Sequence, residues 1–160
     1  MVCESLTRYI CNLQIYDGKC GPLTETAGFL LEPHEGKGYH LYQDNYYNSV
    51  NQTSELLQKF IRVCGTIRVN RGLLKDMIEE AKKLKKVEVT FRRNQEILFI
   101  SHQDKRLVNM ISTLHTAEVI ETTSRRMGVA KKKPKCVIDY NTHMHSVDTA
   151  DQYLAYYPFI

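Results

Sequence analysis

The order of residue types between positions 39 and 69 constrains this chain most. Residues 39–42 (YHLY) form a β-prone run that ends at Gln43-Asp44-Asn45. Ser49 or Asn51 can then cap a helix carrying Glu55, Leu56, Leu57, Phe60 and Ile61. Residues 63–69 (VCGTIRV) are a second β-rich run. Strand, acid, helix, strand is an α/β pattern, and α/β sheets bind ligands beyond the carboxyl ends of their strands. A carboxylate at Asp44 is therefore placed for a metal or a general base. Asp-Asn after a strand is also ordinary turn chemistry, and both readings stay open at this point.

The flanking segments extend the pattern. In residues 8–16 (RYICNLQIY), Tyr9, Cys11, Leu13 and Ile15 alternate with more polar positions, which predicts a strand ending in a turn at Asp17-Gly18. Residues 27–33 predict a short apolar helix stopped by Gly36 and Gly38. Leu73, Leu74, Met77, Ile78, Ala81 and Leu84 stand at helical spacing and predict a helix over 73–86. Two strands are expected over 87–91 and 97–101, around Arg93-Asn94-Gln95, and another over 108–114. Residues 121–135 read as a basic linker without apolar periodicity, and 136–140 as a short apolar stretch. A final helix is expected to start at Val147 and run to Tyr157.

With 160 residues the chain suits one compact domain, and an apolar content of 42% supports a core. No apolar run approaches the ~18 residues of a membrane span, and residues 1–10 lack a secretory pattern. Cys3, Cys11, Cys20, Cys64 and Cys136 match neither a disulfide framework nor a zinc knuckle, which reads as a reducing, intracellular setting. Asn51-Gln52-Thr53 is then a glycosylation sequence met by chance.

The net charge of +4 is unevenly spread: residues 1–61 carry −3, residues 62–93 carry +6 and residues 94–160 carry +1. The basic set is Arg62, Arg68, Arg71, Lys82, Lys83, Lys85, Lys86, Arg92 and Arg93, then Arg125, Arg126, Lys131, Lys132 and Lys133. Such runs bind phosphate chains without reading bases, and they also suit a solvated helix face beside a basic loop. Residues 131–135 (KKKPK) resemble a nuclear localisation signal.

Asp148 and Asp151 stand three apart at an expected helix start. That spacing points both carboxylates to one side, where they can hold a divalent cation such as magnesium. It equally suits a capping arrangement. His143 and His145 lack the further ligands of a zinc site. No P-loop, dinucleotide-binding glycine pattern or serine elbow is present, and no Ser-His-Asp set stands out.

Taken in order, residues 12–19 (NLQIYDGK), 38–49 (GYHLYQDNYYNS), 64–71 (CGTIRVNR), 89–93 (VTFRR), 134–141 (PKCVIDYN) and 147–157 (VDTADQYLAYY) resemble the piggyBac family of transposases and transposase-derived proteins. The likeness runs across almost the whole chain. It implies an α/β, ribonuclease-H-like transposase core with a strand-containing insertion. The expected division is 1–70 for part of that core, 71–127 for the insertion, and 128–160 for a basic linker and the return to the core. In that scheme Asp44 and Asp148 match the second and third catalytic aspartates, and Asp151 a fourth acid of the same site. The three carboxylates are expected to converge. The implied chemistry is phosphoryl transfer on DNA, with two magnesium ions clamping the attacking and leaving oxygens.

The departures shape the expectation as much as the matches. No acid before Asp44 sits in a motif matching the family's first catalytic aspartate, nor does the chain show the family's N-terminal DNA-binding or C-terminal cysteine-rich regions. His145 and Ser146 stand where the family has two glycines, and Leu74 where it has proline. The reading is a partial piggyBac-derived catalytic domain, nuclear, with DNA as partner and no membrane. Its ancestral activity is DNA cleavage and strand transfer, and as it stands it is expected to be inactive. The rival readings are a DNA-binding module without chemistry and a remnant with no selected role. An unpaired sheet edge and a short final helix further predict marginal stability and self-association.

Overall fold

The computed structural model describes residues 1–15, 18, 23–123 and 130–156. In chain order the elements are β1 (Val2–Cys3), β2 (Ile10–Asn12), α1 (Leu23–Leu31) running into a 3-10 turn (Glu32–His34), β3 (His40–Gln43), α2 (Val50–Gln58), β4 (Arg62–Thr66) and α3 (Lys75–Lys82). There follow β5 (Val89–Asn94), β6 (Ile97–Gln103), β7 (Leu107–Ser112), β8 (Val119–Thr123), β9 (Ala130–Pro134), α4 (Lys135–His143) and α5 (Ser146–Ala155).

Five strands form a mixed sheet in the order β3-β4-β7-β6-β5. β3 and β4 run parallel, with His40 opposite Arg62 and Gln43 opposite Gly65. Parallel pairing needs a crossover, and α2 supplies it. Ser49 caps α2, its side chain accepting from the Gln52 N–H. The remaining pairs are antiparallel, and β5 and β6 form a hairpin whose turn includes Gln95 at φ 51°. The strands β5–β7 thus continue the same sheet as β3 and β4.

Alternation along the strands buries both faces of the sheet. On one face Cys64, Ile100 and Met110 pack with Cys136 and Val137 of α4. On the other, Val63 packs with Leu56 and Leu31, and Ile67, Phe99 and Ile111 meet Val50 and Met77. Helices therefore cover both sides of one α/β layer. Buried apolar area of this kind is the main source of stability.

Three segments depart from the sequence reading. Among the described residues of 8–16, only Ile10–Asn12 is a strand, and it pairs with Val2–Cys3 in a separate two-stranded sheet. Arg8 has φ 66°, which ends strand geometry there, and Tyr9, Leu13 and Ile15 are exposed rather than buried. The described residues of 121–135 are not a linker. β8 and β9 pair antiparallel, setting Glu121 against Lys132 and Ile120 against Lys133. Their ladder is made by backbone groups while the lysines stay polar, so apolar periodicity carries no trace of it. Residues 136–140 are the start of α4, which runs to His143.

Elsewhere the elements fall near where expected with shifted limits: α1 begins at Leu23, β5 runs on to Asn94 and β6 to Gln103. α3 ends at Lys82, short of Leu84. Leu74 at the α3 N-cap has φ −72°, a value that proline also adopts. His145 caps α5 at φ −86°, an ordinary conformation that does not call for glycine. Arg125, Arg126 and Cys20 lie outside the described residues, as does the stretch 157–160.

A candidate carboxylate pocket

A cavity of about 520 Å³ runs along β3, an edge strand of the sheet. Its walls are β1, α1, the loop after β3 and the α4–α5 junction. Leu30, Leu31 and Leu41 make much of the floor apolar, while Asp44 and Asp148 stand on its lining. Two carboxylates about a hundred positions apart in sequence thus reach one pocket.

Asp44 leaves the carboxyl end of β3 in a built turn. Its Oδ1 accepts from the Tyr46 N–H at 2.9 Å, and its carbonyl accepts from the Asn48 N–H at 3.3 Å. The turn chemistry that competed with a functional reading is therefore present, and it leaves the carboxylate exposed in the pocket. Asn48, fully buried, pins the turn down. Its Nδ2 donates to the Thr66 carbonyl at 2.8 Å, and its Oδ1 accepts from Gln43 Nε2. Gly65 makes room: a Cβ there would meet the Gln43 carbonyl oxygen at 2.0 Å.

Asp148 sits in the first turn of α5, where the helix dipole favours a negative charge. The start of α5 is anchored by Ser146, whose buried hydroxyl donates to the Ser5 carbonyl at 3.0 Å. Ser5 Oγ in turn lies 3.0 Å from His143 Nδ1, and the His143 ring stacks on Tyr42 with centroids 4.5 Å apart. Burial pushes the Tyr42 hydroxyl up to about 12. Asp151 is not on the pocket lining; its negative charge adds to the burial that raises the Cys3 thiol. Among the described residues no three His, Cys, Asp or Glu side chains are grouped to hold a metal ion.

Tyr140 was not singled out by the sequence, although it lies within the 134–141 stretch. Burial raises its hydroxyl above the ordinary value; the hydrogen-bonded Thr66 side chain opposes this, and the charges of Asp44 and Asp148 add to it. Tyr140 is thus the side chain that feels both pocket carboxylates. Asn48 and Gly65 were likewise missed. A glycine inside the strand run VCGTIRV was the available signal, because glycine there marks close backbone approach.

The basic residues divide by role. Arg68 Nε donates to Asn45 Oδ1 at 2.9 Å and its guanidinium lies 6.0 Å from the Tyr46 ring centre, while Arg71 donates to the Tyr46 carbonyl at 3.4 Å. Both brace the Asp44 turn. Arg62 donates to the Thr113 carbonyl at 2.9 Å, Arg92 pairs with Glu80, and Arg93 donates to the Gln95 carbonyl at 2.9 Å. Lys82, Lys83, Lys85 and Lys86 are exposed around the end of α3, as are Lys131 and Lys132 on β9. Lys133 lies 3.8 Å from Asp104.

A Ser-His-Asp chain also emerges. Ser112 Oγ lies 2.8 Å from His115 Nδ1, and His115 Nε2 lies 2.8 Å from Asp139 Oδ2. Ser112 is fully buried and its oxygen accepts from the Leu114 and His115 N–H groups. No substrate can reach it, so the chain is a structural latch tying α4 to the end of β7.

The profile of a family described as Transposase IS4 matches residues 1–159. The human PiggyBac transposable element-derived protein 2 is 31% identical over 129 residues, covering 74% of this chain and 22% of that protein. A chain from the cryo-EM structure of a piggyBac transposase synaptic complex with hairpin DNA superposes with a TM-score of 0.77 at 22% identity. That superposition covers 96% of this chain and 33% of the other. The present chain therefore spans about a fifth of the curated relative and a third of the solved one.

Proposed function

This chain belongs to the piggyBac-type Transposase IS4 family, and from that premise we propose that it is a ribonuclease-H-like transposase core that binds DNA and does not cut it. One observation carries the proposal: Asp44 and Asp148 line the same pocket at the carboxyl end of β3. Distant acids brought to a strand end are what metal-assisted phosphoryl transfer requires. The ancestral activity is then DNA cleavage and strand transfer, with Asp44, Asp148 and Asp151 as inherited site acids. Residues 1–70 and 128–160 would supply the core, and 71–127 the family's inserted segment.

The donor set limits the chemistry. Asp44 and Asp148 supply the hard oxygens that magnesium takes. A third lining acid, Glu4, already accepts from the Leu6 and Thr7 N–H groups, and Asp151 is not on the lining, so two uncommitted carboxylates are few for the pair of ions that in-line displacement uses. These residues do not by themselves fit a two-magnesium centre, which supports the reading of a core that binds without cutting. A constellation that works as a unit loses most of its rate when one member is missing.

DNA contact rests on different residues. The net +6 of residues 62–93 and the exposed lysines of α3 and β9 suit a phosphate backbone rather than base edges. The solved neighbour is described with hairpin DNA, which supports the same ligand class here. The exposure of Lys131 and Lys132 also suits nuclear import through the KKKPK segment. Duplex binding should be measured at low and moderate salt. Affinity should fall with a log-log slope of ~0.9 per phosphate neutralised, and the slope should shrink for Lys131→Glu/Lys132→Glu. Affinity that ignores salt would reject the proposal.

A further inference from the structure

We infer that Cys3 and Cys11 form a reversible disulfide modification site on the wall of the carboxylate pocket. The site rests on the β1–β2 pairing and does not depend on the transposase reading.

Val2 pairs with Asn12, yet Cys3 pairs with Ile10, so the register shifts and Cys11 is the extra residue. A bulge of this kind sets two residues, here Ile10 and Cys11, opposite one, here Cys3. Cys11 thus adjoins Ile10, the residue that faces Cys3, and lies near enough for the two thiols to interact electrostatically; a disulfide needs Cα atoms ~4.4–6.8 Å apart. Both cysteines line the same pocket. Cys11 is exposed and Cys3 half-buried, and both are free thiols.

The other described cysteines do not compete. Cys64 and Cys136 are fully buried, and burial raises both thiols far above the range in which thiolates form. Burial also raises Cys3, with the neighbouring Cys11 adding to it. The exposed Cys11 is therefore the attacking group and Cys3 the resolving one.

The oxidant is a low-molecular-weight disulfide such as oxidised glutathione. The Cys11 thiolate attacks one of its sulfurs, forming a mixed disulfide and releasing one glutathione thiolate. The Cys3 thiolate then attacks the Cys11 sulfur, forms the Cys3–Cys11 bond and releases the second glutathione. Two protein thiols lose two electrons and two protons, and one glutathione disulfide becomes two thiols. In a reducing compartment such a bond is transient, as redox-sensing disulfides are. Its place gives it a consequence. β1 packs against α5, and Ser5 just beyond it accepts from Ser146 at the α5 start, so the cross-link stiffens the wall that carries Asp148.

The test uses the full chain equilibrated with oxidised glutathione, alkylated, and digested with trypsin without reduction. Cleavage after Arg8 and Lys19 places Cys3, Cys11 and Cys20 on three different peptides. The expected product is peptide 1–8 joined to peptide 9–19, two hydrogens lighter than their sum and separated by dithiothreitol. In Cys3→Ser, glutathione should instead stay on Cys11, because the resolving thiol is gone. Full alkylation of both cysteines, stable glutathione on each, or Cys11 joined to the Cys20 peptide would each overturn the inference.

Discussion

Gly65 of β4 lies so close beneath Asn48 that an added Cβ would stand 2.3 Å from its Nδ2. The contact ties the middle of one strand to the turn that presents Asp44. A methyl group at 65 also meets the Gln43 carbonyl, which is backbone and cannot swing aside. Gly65→Ala should therefore cost about 3 kcal/mol, the upper end of overpacking penalties. Urea denaturation checks it; a midpoint equal to the parent would mean that β3 and β4 do not approach as described.

Asn48 satisfies buried groups on both strands. Asn48→Ala leaves the Thr66 carbonyl and the Gln43 amide without these partners. The expected loss is about 1–3 kcal/mol. The turn should loosen with it, so amide exchange at Tyr46 should quicken more than exchange in β6. Equal exchange changes in the two segments would count against a local role.

His102 on β6 is 2% exposed, and its Nδ1 has no hydrogen-bond partner among the described residues. Burial lowers its pKa below the ordinary 6.5. The unfolded chain then binds a proton that the folded chain refuses. Stability from this site is whole above pH 6.5 and falls as the pH drops below it toward the depressed folded value. His102→Gln should flatten that fall. A parent stability curve already flat between pH 7 and pH 5 would refute the account of this residue.

Thiol labelling reads the packing of the sheet against α4. Cys64 donates weakly to the Cys136 carbonyl at 3.6 Å, and both side chains are sealed. At pH 8 an alkylating agent should label Cys11 in the native protein and reach Cys64 and Cys136 only after denaturant is added. Prompt labelling of either buried thiol would place α4 elsewhere.

The sheet was legible where apolar spacing and turn residues coincide. The run before Asp44, the Ser49 cap and the hairpin around Arg93-Asn94-Gln95 all fall in place. The β8–β9 pairing was not legible, because it sets lysines against Glu121 and Thr122 and carries no apolar phase. Residues 8–16 misled for the opposite reason. They alternate, but Asn12 is held by the Phe29 and Leu30 carbonyls at the end of α1, which leaves Leu13 and Ile15 outside. At the pocket, Asp44 and Asp148 were legible as motif acids, whereas Tyr140 was not, because only the fold brings it within reach of both charges. The expected convergence of all three acids is supported for two of them by the pocket lining.

The central claim is a core that keeps its DNA contacts and lacks cutting power. One assay tests it directly: supercoiled plasmid incubated with the purified chain in magnesium, followed for retention and for nicking across a salt series. The account predicts retention that weakens steeply with salt and no conversion to open circles at any point. Magnesium-dependent nicking that Asp44→Asn abolishes would contradict it, because the acids on the pocket lining would then suffice for the chemistry.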